Sequence, residues 1–471
     1  MGSPAAGWYV DPADGARYRY WNGSAWTNET RTAPPPTGPP MAGAATDPAG
    51  RPPSSAPGTG NDLPPEPARE VGARRRTGLI GGAIGLVAVI AVGFAVWVLP
   101  GGAGISDTIG YEWERLSEAA ITGHDGGPLE LWDVAYDGQR WVAVGNARTD
   151  DGRVGVVLVS EDGRSWERLP HDASVFAGDE WVSMDSVFVG GPGFVATGHD
   201  GDWSDNVDAA VWLSEDGLSW ERVRDDALLG GGELSGMWSV ATHAGRLVGV
   251  GTASDHVNVR PLVWTSDDGS RWQRIDGSPA FGASDDEATW TVTAGGPGLI
   301  AVGYGTDQEG DRHPIVWTSS DSDVWRRTEL PGRHTELLRV AVTSDGLVAV
   351  GRNREDPWGT TVWTSEDGED WRARPTHGHT GEGELPVEVN QAIEIGSRKV
   401  AIGTVGPQGV DDEIRQGTVW ISGEDGVWDA SETRVSGATE ARMWALAGDE
   451  RQLVAVGTDE GEDRPAIWVS E

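Results

Sequence analysis

Four tryptophans lie at equivalent positions of an internal repeat, each at the same distance before a recurring glycine, and together could form a binding surface. Aromatic rings gathered at the centre of a repeat architecture can stack on sugars or other flat ligands. An alternative is that they wedge between neighbouring repeats and only fill space. The tryptophans are Trp132, Trp238, Trp290 and Trp444, and we expect them to start the innermost strands, near the outward mouth of the central channel. The polar side chains expected beside them are Asp185, Asn390, Glu130, Arg339 and Arg442.

Other site chemistries lack the residues that they need. The chain has no cysteine, which excludes disulfides, Cys-ligated zinc and cysteine nucleophiles. It also has no His-Glu-x-x-His, no Gly-x-Ser-x-Gly and no P-loop lysine. His377 and His379 form a His-Gly-His pair, but two ligands without a third are a weak metal signal. We therefore predict neither a catalytic residue nor a metal site.

A repeat with a period of about 50 residues runs through the C-terminal three quarters of the chain. After each recurring glycine come a polar loop, an apolar run such as VVLVS or AVWLS, an acidic turn and a tryptophan. This pattern predicts four short strands per unit. Seven such units predict an all-β fold, a seven-bladed β-propeller over residues 111–471. The glycines are Gly145, Gly198, Gly251, Gly303, Gly351, Gly403 and Gly457.

The acidic turn has a recognisable sequence. It reads SEDGRSW at 160, SEDGLSW at 214, SDDGSRW at 266 and SEDGEDW at 365, with degenerate copies at 319 and 422. It resembles the Asp-box (BNR) turn of sialidase-like and related propellers, Ser-x-Asp-x-Gly-x-Thr-Trp, shortened by one residue. The resemblance implies structural roles for Ser160, Asp162, Gly163, Trp166, Ser214, Asp216, Gly217, Trp220, Ser266, Asp268, Gly269, Trp272, Ser365, Asp367, Gly368 and Trp371.

The catalytic residues of a sialidase cannot be placed on this sequence. That family uses an arginine cluster, a Tyr–Glu nucleophile pair, an acid Asp and an Arg-Ile-Pro motif. Residues 101–471 contain only Tyr111, Tyr136 and Tyr304, and no Arg-Ile-Pro occurs. The Asp-box itself is a folding device that non-enzymatic propellers share. We therefore expect a binding protein, and a sialidase-like glycan hydrolase with carboxylates from several blades is the alternative.

The last repeat ends at Glu471 without its fourth strand. The missing strand is found at the start of the repeat region, where Tyr111–Leu116 reads YEWERL and matches WERLP at 166. We expect Trp113 to lie beside the C-terminal strand and to close the ring. Closure of this kind leaves no free sheet edge on which other chains could pair.

An uncharged segment, Thr77–Leu99, precedes the repeats. As a helix it would span about 34 Å, enough to cross a membrane. Arg69 and Arg74–Arg76 precede it and Asp107 follows it, which puts the N-terminus in the cytoplasm and residues 101–471 outside. Glycines four positions apart within the segment could support a helix-mediated dimer.

The sequence predicts a tiny aromatic β module over residues 1–31. Residues 7–27 read GWYVDPADGARYRYWNGSAWT and resemble a short domain of unknown function common in actinobacterial membrane proteins. Residues 32–76 are predicted to be a disordered Pro-rich linker that ends in an Arg cluster. Residues 100–110 would form a stem between the membrane helix and the propeller.

The net charge of -38 argues against nucleic acid as a partner. Acidic loops such as 307–311 could bind calcium or a cationic partner, or could simply form a solvated rim. No other cofactor is expected. The sequence thus predicts a membrane-anchored, extracytoplasmic binding or scaffold propeller without catalytic activity. It would recognise a glycan, a cell-envelope component or a protein through its outward loop face.

Overall fold

The computed structural model describes residues 7–11, 14–21 and 26–31, and most of 112–470. The gaps in the last range are 125–126, 151, 179–180, 203–205, 226–227, 229–232, 276–277, 282–285, 354–358, 375–386, 397, 406–415, 423–427, 430–433, 436–440 and 460–463. The chain forms two compact units, 1–74 and 75–471. The predicted linker, membrane segment and stem lie outside the described residues. Within the described part, no helix is long and apolar enough to span a membrane.

The first unit contains one small antiparallel sheet. Its strands are Gly7–Asp11, Asp14–Trp21 and Trp26–Arg31, and they pair in chain order. This arrangement agrees with the aromatic β module predicted for residues 1–31.

The second unit contains seven sheets, each with four antiparallel strands that we number from the inside outward. The innermost strands of blades 1 to 7 are Leu129–Tyr136, Val182–Gly190, Leu234–His243, Glu287–Gly295, Thr335–Thr343, Val387–Ile395 and Ala441–Gly448. The second strands are Trp141–Thr149, Gly193–Asp202, Arg246–Ser254, Gly298–Thr306, Gly346–Asn353, Arg398–Val405 and Leu453–Asp459.

The outer strands complete each blade. The third strands are Gly152–Ser160, Asn206–Ser214, Val259–Ser266, Arg312–Ser319, Gly359–Ser365, Gln416–Ser422 and Arg464–Ser470. The fourth strands are Trp166–Arg168, Glu221–Arg222, Gln273–Arg274, Arg326–Glu329, Arg372–Arg374, Trp428–Asp429 and, for blade 7, Glu112–Arg115.

The seven sheets form a ring because each innermost strand contacts the innermost strand of the next blade, and blade 7 contacts blade 1. Alternating apolar side chains fill the space between neighbouring sheets. The third-strand tryptophans Trp212, Trp264 and Trp317 are at most 1% exposed there. The protein is therefore an all-β seven-bladed β-propeller, as the sequence predicts.

Blade 7 combines the two ends of this unit. Glu112–Arg115 pairs antiparallel to Arg464–Ser470, with Trp113 opposite Ser470. Leu116 extends the pairing by donating its backbone N–H to the Ile467 carbonyl at 2.8 Å. This is the closing strand that the sequence predicts.

Two blades carry a fifth strand that the sequence analysis did not anticipate. Ile121–Thr122 pairs parallel to Trp166–Arg168, and Arg434–Val435 pairs parallel to Glu112–Arg115. In both cases, chain that has left one blade runs along the outer edge of the next and covers its free hydrogen-bonding groups. A 3-10 turn, Glu118–Ala120, and a short helix, Ala173–Phe176, lie in such connections.

The recurring glycine has a physical cause in a β-bulge of the innermost strand. In blade 4, Thr289 pairs with Gly303 and Thr291 pairs with Val302, so Trp290 has no partner in the strand pairing. A Cβ at Gly303 would overlap the carbonyl oxygen of Ala288. The same register shift occurs in all seven innermost strands. Each recurring glycine therefore makes room for a bulge. The constant sequence offset is the separation along the chain between that glycine and the unpaired residue of the bulge.

The predicted acidic turns share one geometry. In the turn at 266, Asp268 Oδ1 accepts the backbone N–H groups of Ser270 at 2.8 Å and Arg271 at 3.0 Å. Trp272 Nε1 donates to the Gly269 carbonyl at 2.7 Å. The degenerate turn at 319 forms the same bonds although Ser322 takes the glycine position with φ +73°. The assignment of these turns to the Asp-box family stays a prediction.

We expect the turn aspartates to make folding pH-dependent. The backbone N–H groups of Arg271 and Ser270 hold the pKa of Asp268 below its ordinary value. The resulting stabilisation is complete above the ordinary carboxyl pKa of about 3.9 and is lost as pH falls through the lower folded-state value. Asp268→Asn should therefore lower the melting temperature at neutral pH, and the difference from wild type should shrink in acid.

The measurement is the melting temperature of both proteins between about pH 7 and pH 2.5. Asp267→Asn is the control, because the neighbouring Asp267 side chain is 90% exposed. A difference between wild type and Asp268→Asn that stays constant with pH would contradict the prediction.

Candidate functional site

The propeller has two faces with different loops. The loops between second and third strands and the connections between blades lie on one side, which we call the loop face. The turns within each blade from innermost to second strand and from third to fourth strand lie on the other side, the turn face. A ligand site built from longer loops belongs to the loop face.

The predicted site residues lie inside the ring and not at its rim. All except Glu130 and Arg442 are buried, and six of them, Trp132, Trp238, Trp290, Trp444, Asp185 and Asn390, are the unpaired residues of the bulges. Sequence reasoning expected the tryptophans to start the strands, near the mouth of the channel. They lie further along the innermost strands, at the fourth or fifth strand position, where the bulge turns them into the ring.

The four tryptophans differ in how their indole N–H groups are used. Trp238 Nε1 donates to Thr252 Oγ1 at 3.0 Å, and Trp444 Nε1 donates to Thr458 Oγ1 at 2.7 Å. Trp132 packs on Trp444 with ring centroids 5.9 Å apart. Trp238 likewise lies 6.5 Å from Trp290 of the next blade, so the ring contacts favour the alternative for Trp238 and Trp444, namely packing between blades. The Nε1 atoms of Trp132 and Trp290 have no hydrogen-bond partner among the described residues.

Asp185 is the centre of a buried network that sequence reasoning did not find. It accepts a hydrogen bond from Ser183 Oγ at 2.5 Å and contacts His199 Nδ1 at 2.8 Å through its other oxygen. The His199 ring lies 6.1 Å from the Trp238 ring, edge to face. In a Ser-His-Asp triad the histidine stands between the other two residues, whereas here the aspartate does. The arrangement therefore orients side chains and does not activate Ser183.

Buried ion pairs hold other parts of the loop face. Glu336 is 0% exposed and binds Arg312 and Arg352 together. The Arg312 guanidinium lies over the Tyr304 ring at 3.8 Å from its centroid. Buried ion pairs of this kind fix the relative positions of their side chains more than they add to the net stability of the fold. No spacing in the sequence signals them, because their partners come from different strands of two neighbouring blades.

Among the described residues, one tryptophan is exposed on the loop face. Trp181 is 41% exposed and directly precedes the innermost strand of blade 2. Its backbone is held in place, because its carbonyl accepts the Gly201 N–H at 2.7 Å and it forms an isolated bridge with Arg153. The Arg153 guanidinium lies 5.3 Å from the centroid of its ring. The indole is thus an exposed aromatic platform on an anchored backbone, with Arg153 against its ring, and the sequence analysis did not predict it.

The polar side chains beside this platform are also fixed. Arg153 Nη1 bonds the Glu130 carboxylate and donates to Asn146 Oδ1 at 2.9 Å. Asn146 Nδ2 in turn donates to Ser183 Oγ at 3.2 Å. A continuous chain of hydrogen bonds therefore joins the exposed Trp181 platform to the buried Asp185 network.

A second feature of the loop face is a carboxyl group that resists ionisation. Asp286 directly precedes the innermost strand of blade 4 and accepts the Val259 N–H at 3.2 Å. Burial raises its pKa above the ordinary value, and the Arg312 charge offsets only part of this. Perturbed carboxyl groups of this kind occur at catalytic sites and also in structural networks.

The described residues contain no group of three or more His, Asp or Glu side chains that could hold a metal ion. In the loop of blade 4, Asp307 is used internally, since it contacts His313 Nε2 at 2.9 Å and accepts the Asp311 N–H at 2.8 Å. Several acidic loop residues, and His377 and His379, lie outside the described residues. Calcium binding stays a prediction.

Comparisons with known proteins bear mainly on the first unit. Residues 6–39 match the model of the family described as protein of unknown function (DUF2510). This agrees with the resemblance of residues 7–27 to a short domain of unknown function. No curated protein is significantly similar to the chain.

Solved structures resemble the propeller at low identity. An acylaminoacyl peptidase of Pyrococcus horikoshii has 9% identity and a TM-score of 0.41, over 72% of this chain and 51% of that chain. The propeller domain of the Trilobed protease from Pyrococcus furiosus has 11% and 0.38, over 72% and 93%. A Trypanosoma rangeli sialidase has 13% and 0.39, over 73% and 54%. The chain thus spans about half the length of the peptidase and of the sialidase.

Proposed function

We propose that this protein is a membrane-anchored, non-catalytic binding propeller that recognises a glycan outside the cell through its loop face. The observation that carries the proposal is the exposed Trp181 platform on its anchored backbone. A fixed indole presents a large apolar face at low entropic cost, and sugars stack on such faces while neighbouring polar groups bind their hydroxyls. The side chains available for the hydroxyls are Glu130 and Arg153, which are both partly exposed.

The net charge of the protein favours some classes of glycan over others. A net charge of -38 repels acidic polysaccharides at long range. A neutral or amino sugar in the cell envelope fits this field better than an acidic one. Arg153 does not reverse the preference, because Glu130 already pairs with it.

Membrane anchoring rests on the sequence. The uncharged segment Thr77–Leu99 is long enough to cross a bilayer, and Arg74–Arg76 on its N-terminal side favour a cytoplasmic N-terminus. The propeller would then lie outside the cell, tethered by a short stem. Recognition of an envelope component or of another protein through the same face is compatible with this arrangement.

A glycan hydrolase is the second candidate, and Asp286 is the observation that favours it. A carboxyl group with a raised pKa on the loop face could act as a general acid. Glycosidases need a second carboxylate within about 10 Å on the other side of the bond that is cleaved. The adjacent Glu287 is 0% exposed and its carboxylate bonds Arg327 Nε at 2.9 Å, which makes it unsuited to that role.

We expect Trp181→Ala to weaken glycan binding by about tenfold or more, because the loss of one stacking contact costs about 1.4 kcal/mol. The measurement is a glycan array, followed by titration of each retained glycan with the full 471-residue chain. Val324→Ala is the matched control, since Val324 is 66% exposed but lies on the turn face. It should bind like wild type.

Each other outcome has a distinct meaning. A wild-type protein that retains no glycan on the array would refute glycan recognition. Equal affinities of wild type and Trp181→Ala would refute the role of the Trp181 platform. Release of reducing sugar from a retained glycan would favour the hydrolase.

A further inference from the structure

Arg339 is a buried cation within the ring of innermost strands. It directly follows the bulge residue Leu338 of blade 5, and its side chain is 1% exposed. Its Nη1 has a long contact with the Leu338 carbonyl at 3.4 Å. Nε and Nη2 have no partner among the described residues. Because bulk solvent does not reach the guanidinium, its remaining N–H groups need an acceptor enclosed within the ring.

The equivalent position of other blades is occupied differently. The side chain after the bulge there bonds the innermost strand of the next blade. Thr291 Oγ1 donates to the Leu338 carbonyl at 2.6 Å, and Gln391 Nε2 donates to the Leu446 carbonyl at 3.0 Å. Asp133 accepts the Val187 N–H at 2.8 Å. Arg339 makes no such bond to blade 6 in the described structure, so its charged end does not serve to join blades.

One counter-charge acts on Arg339 from across the ring. Arg339 interacts electrostatically with Asp133, which is in blade 1. Blades 1 and 5 are three steps apart in the ring of seven, so the line between the two charges passes close to the central axis. Asp133 already accepts hydrogen bonds from Val134 N at 2.6 Å, Val187 N at 2.8 Å and Ser186 Oγ at 3.1 Å. Asp133 therefore does not supply the acceptors that Arg339 lacks, and burial raises the pKa of Asp133 itself, which weakens it as a counter-charge.

Nε and Nη2, the Arg339 atoms without a partner among the described residues, are the ones that can bind an anion together. Nε and Nη2 form the side edge of the guanidinium, whose two parallel N–H bonds match one small acceptor or one carboxylate. Burial lowers the pKa of Arg339 to about 9. In the adjacent blade 4, Trp290 Nε1 is a further donor without a partner among the described residues.

We propose that a small monovalent anion binds inside the ring of innermost strands, held by Nε and Nη2 of Arg339. The ligand is of the chloride or formate class, small enough to be enclosed between blades. It supplies the acceptors that the buried guanidinium lacks, and it binds the folded ring and not the unfolded chain. The anion therefore stabilises the propeller, independently of any ligand on the loop face.

The test is thermal unfolding of the full 471-residue chain at constant ionic strength. Sodium gluconate, whose anion is too large to be enclosed, is replaced stepwise by sodium chloride or sodium formate. We expect the melting temperature to rise with the logarithm of the small-anion concentration, by about 2 °C or more when the anion exceeds its dissociation constant a hundredfold. Equal melting temperatures in all three salts would overturn the proposal.

Variants separate the site from general salt effects. Arg339→Met should remove the response to the small anions. Arg246→Met is the matched control, since Arg246 bonds Asp323 at 2.9 Å and Thr265 at 2.8 Å near the turn face and should keep the response. If Arg339→Met does not fold, Arg339→Lys retains the charge without the paired N–H groups, and its response should be weaker. A full response in either Arg339 variant would count against the site.

Discussion

Trp113→Ala is expected to destabilise the propeller by about 3–5 kcal/mol, the usual cost of removing a large buried aromatic side chain. Trp113 is 2% exposed and packs with Val419, Met443 and Trp468 between blades 6 and 7. It also belongs to the strand that closes the ring. Its loss would leave a cavity at the junction of the two ends of this unit, where no covalent connection compensates.

The measurement is urea unfolding of the full 471-residue chain followed by circular dichroism. Glu112→Ala is the control, because Glu112 is exposed on the same short strand, and it should change stability by less than about 0.5 kcal/mol. If Trp113→Ala and Glu112→Ala both unfold at the same urea midpoint as wild type, the closing strand contributes little to the stability of the ring.

The closing strand was predictable because its sequence repeats a pattern that six other blades share. WER at 113–115 copies WER at 166–168, and both lie in fourth strands. Repetition supplies several independent copies of each strand signal, so the blade number follows from counting. The parallel strand Ile121–Thr122 has no copy in the other blades and could not be found in this way.

The candidate site was less predictable, for two physical reasons. Periodicity indicates that Trp132 and Arg339 lie on innermost strands, but not that a bulge moves them into the buried centre. Trp181 lies in a connection between blades, and its exposure depends on how the two blades pack together. The residue pattern of a single strand does not encode that packing. The Ser183, Asp185 and His199 network joins two strands through the register set by the same bulge.

The bulge itself can be tested through its glycine, and Gly303→Ala is expected to destabilise the propeller by about 3 kcal/mol or more. The added methyl group would overlap the Ala288 carbonyl, which is backbone and cannot move by a change of rotamer. Relief would require blade 4 to shift its strand pairing, and this would displace the unpaired Trp290 from the centre of the ring. The measurement is the urea midpoint of the full chain.

Gly155→Ala is the matched control for this substitution. Gly155 also lies within a strand, but a Cβ there would meet the flexible Met184 side chain at 3.1 Å, with the nearest backbone atom, Phe176 O, at 3.6 Å. The cost should be far smaller, since a methionine side chain repacks easily. Equal losses at Gly303 and Gly155 would mean that glycine is required for chain flexibility and not for the bulge. A selective loss at Gly303 would show that the recurring glycine exists to shape the centre of the ring, where both Trp290 and Arg339 lie.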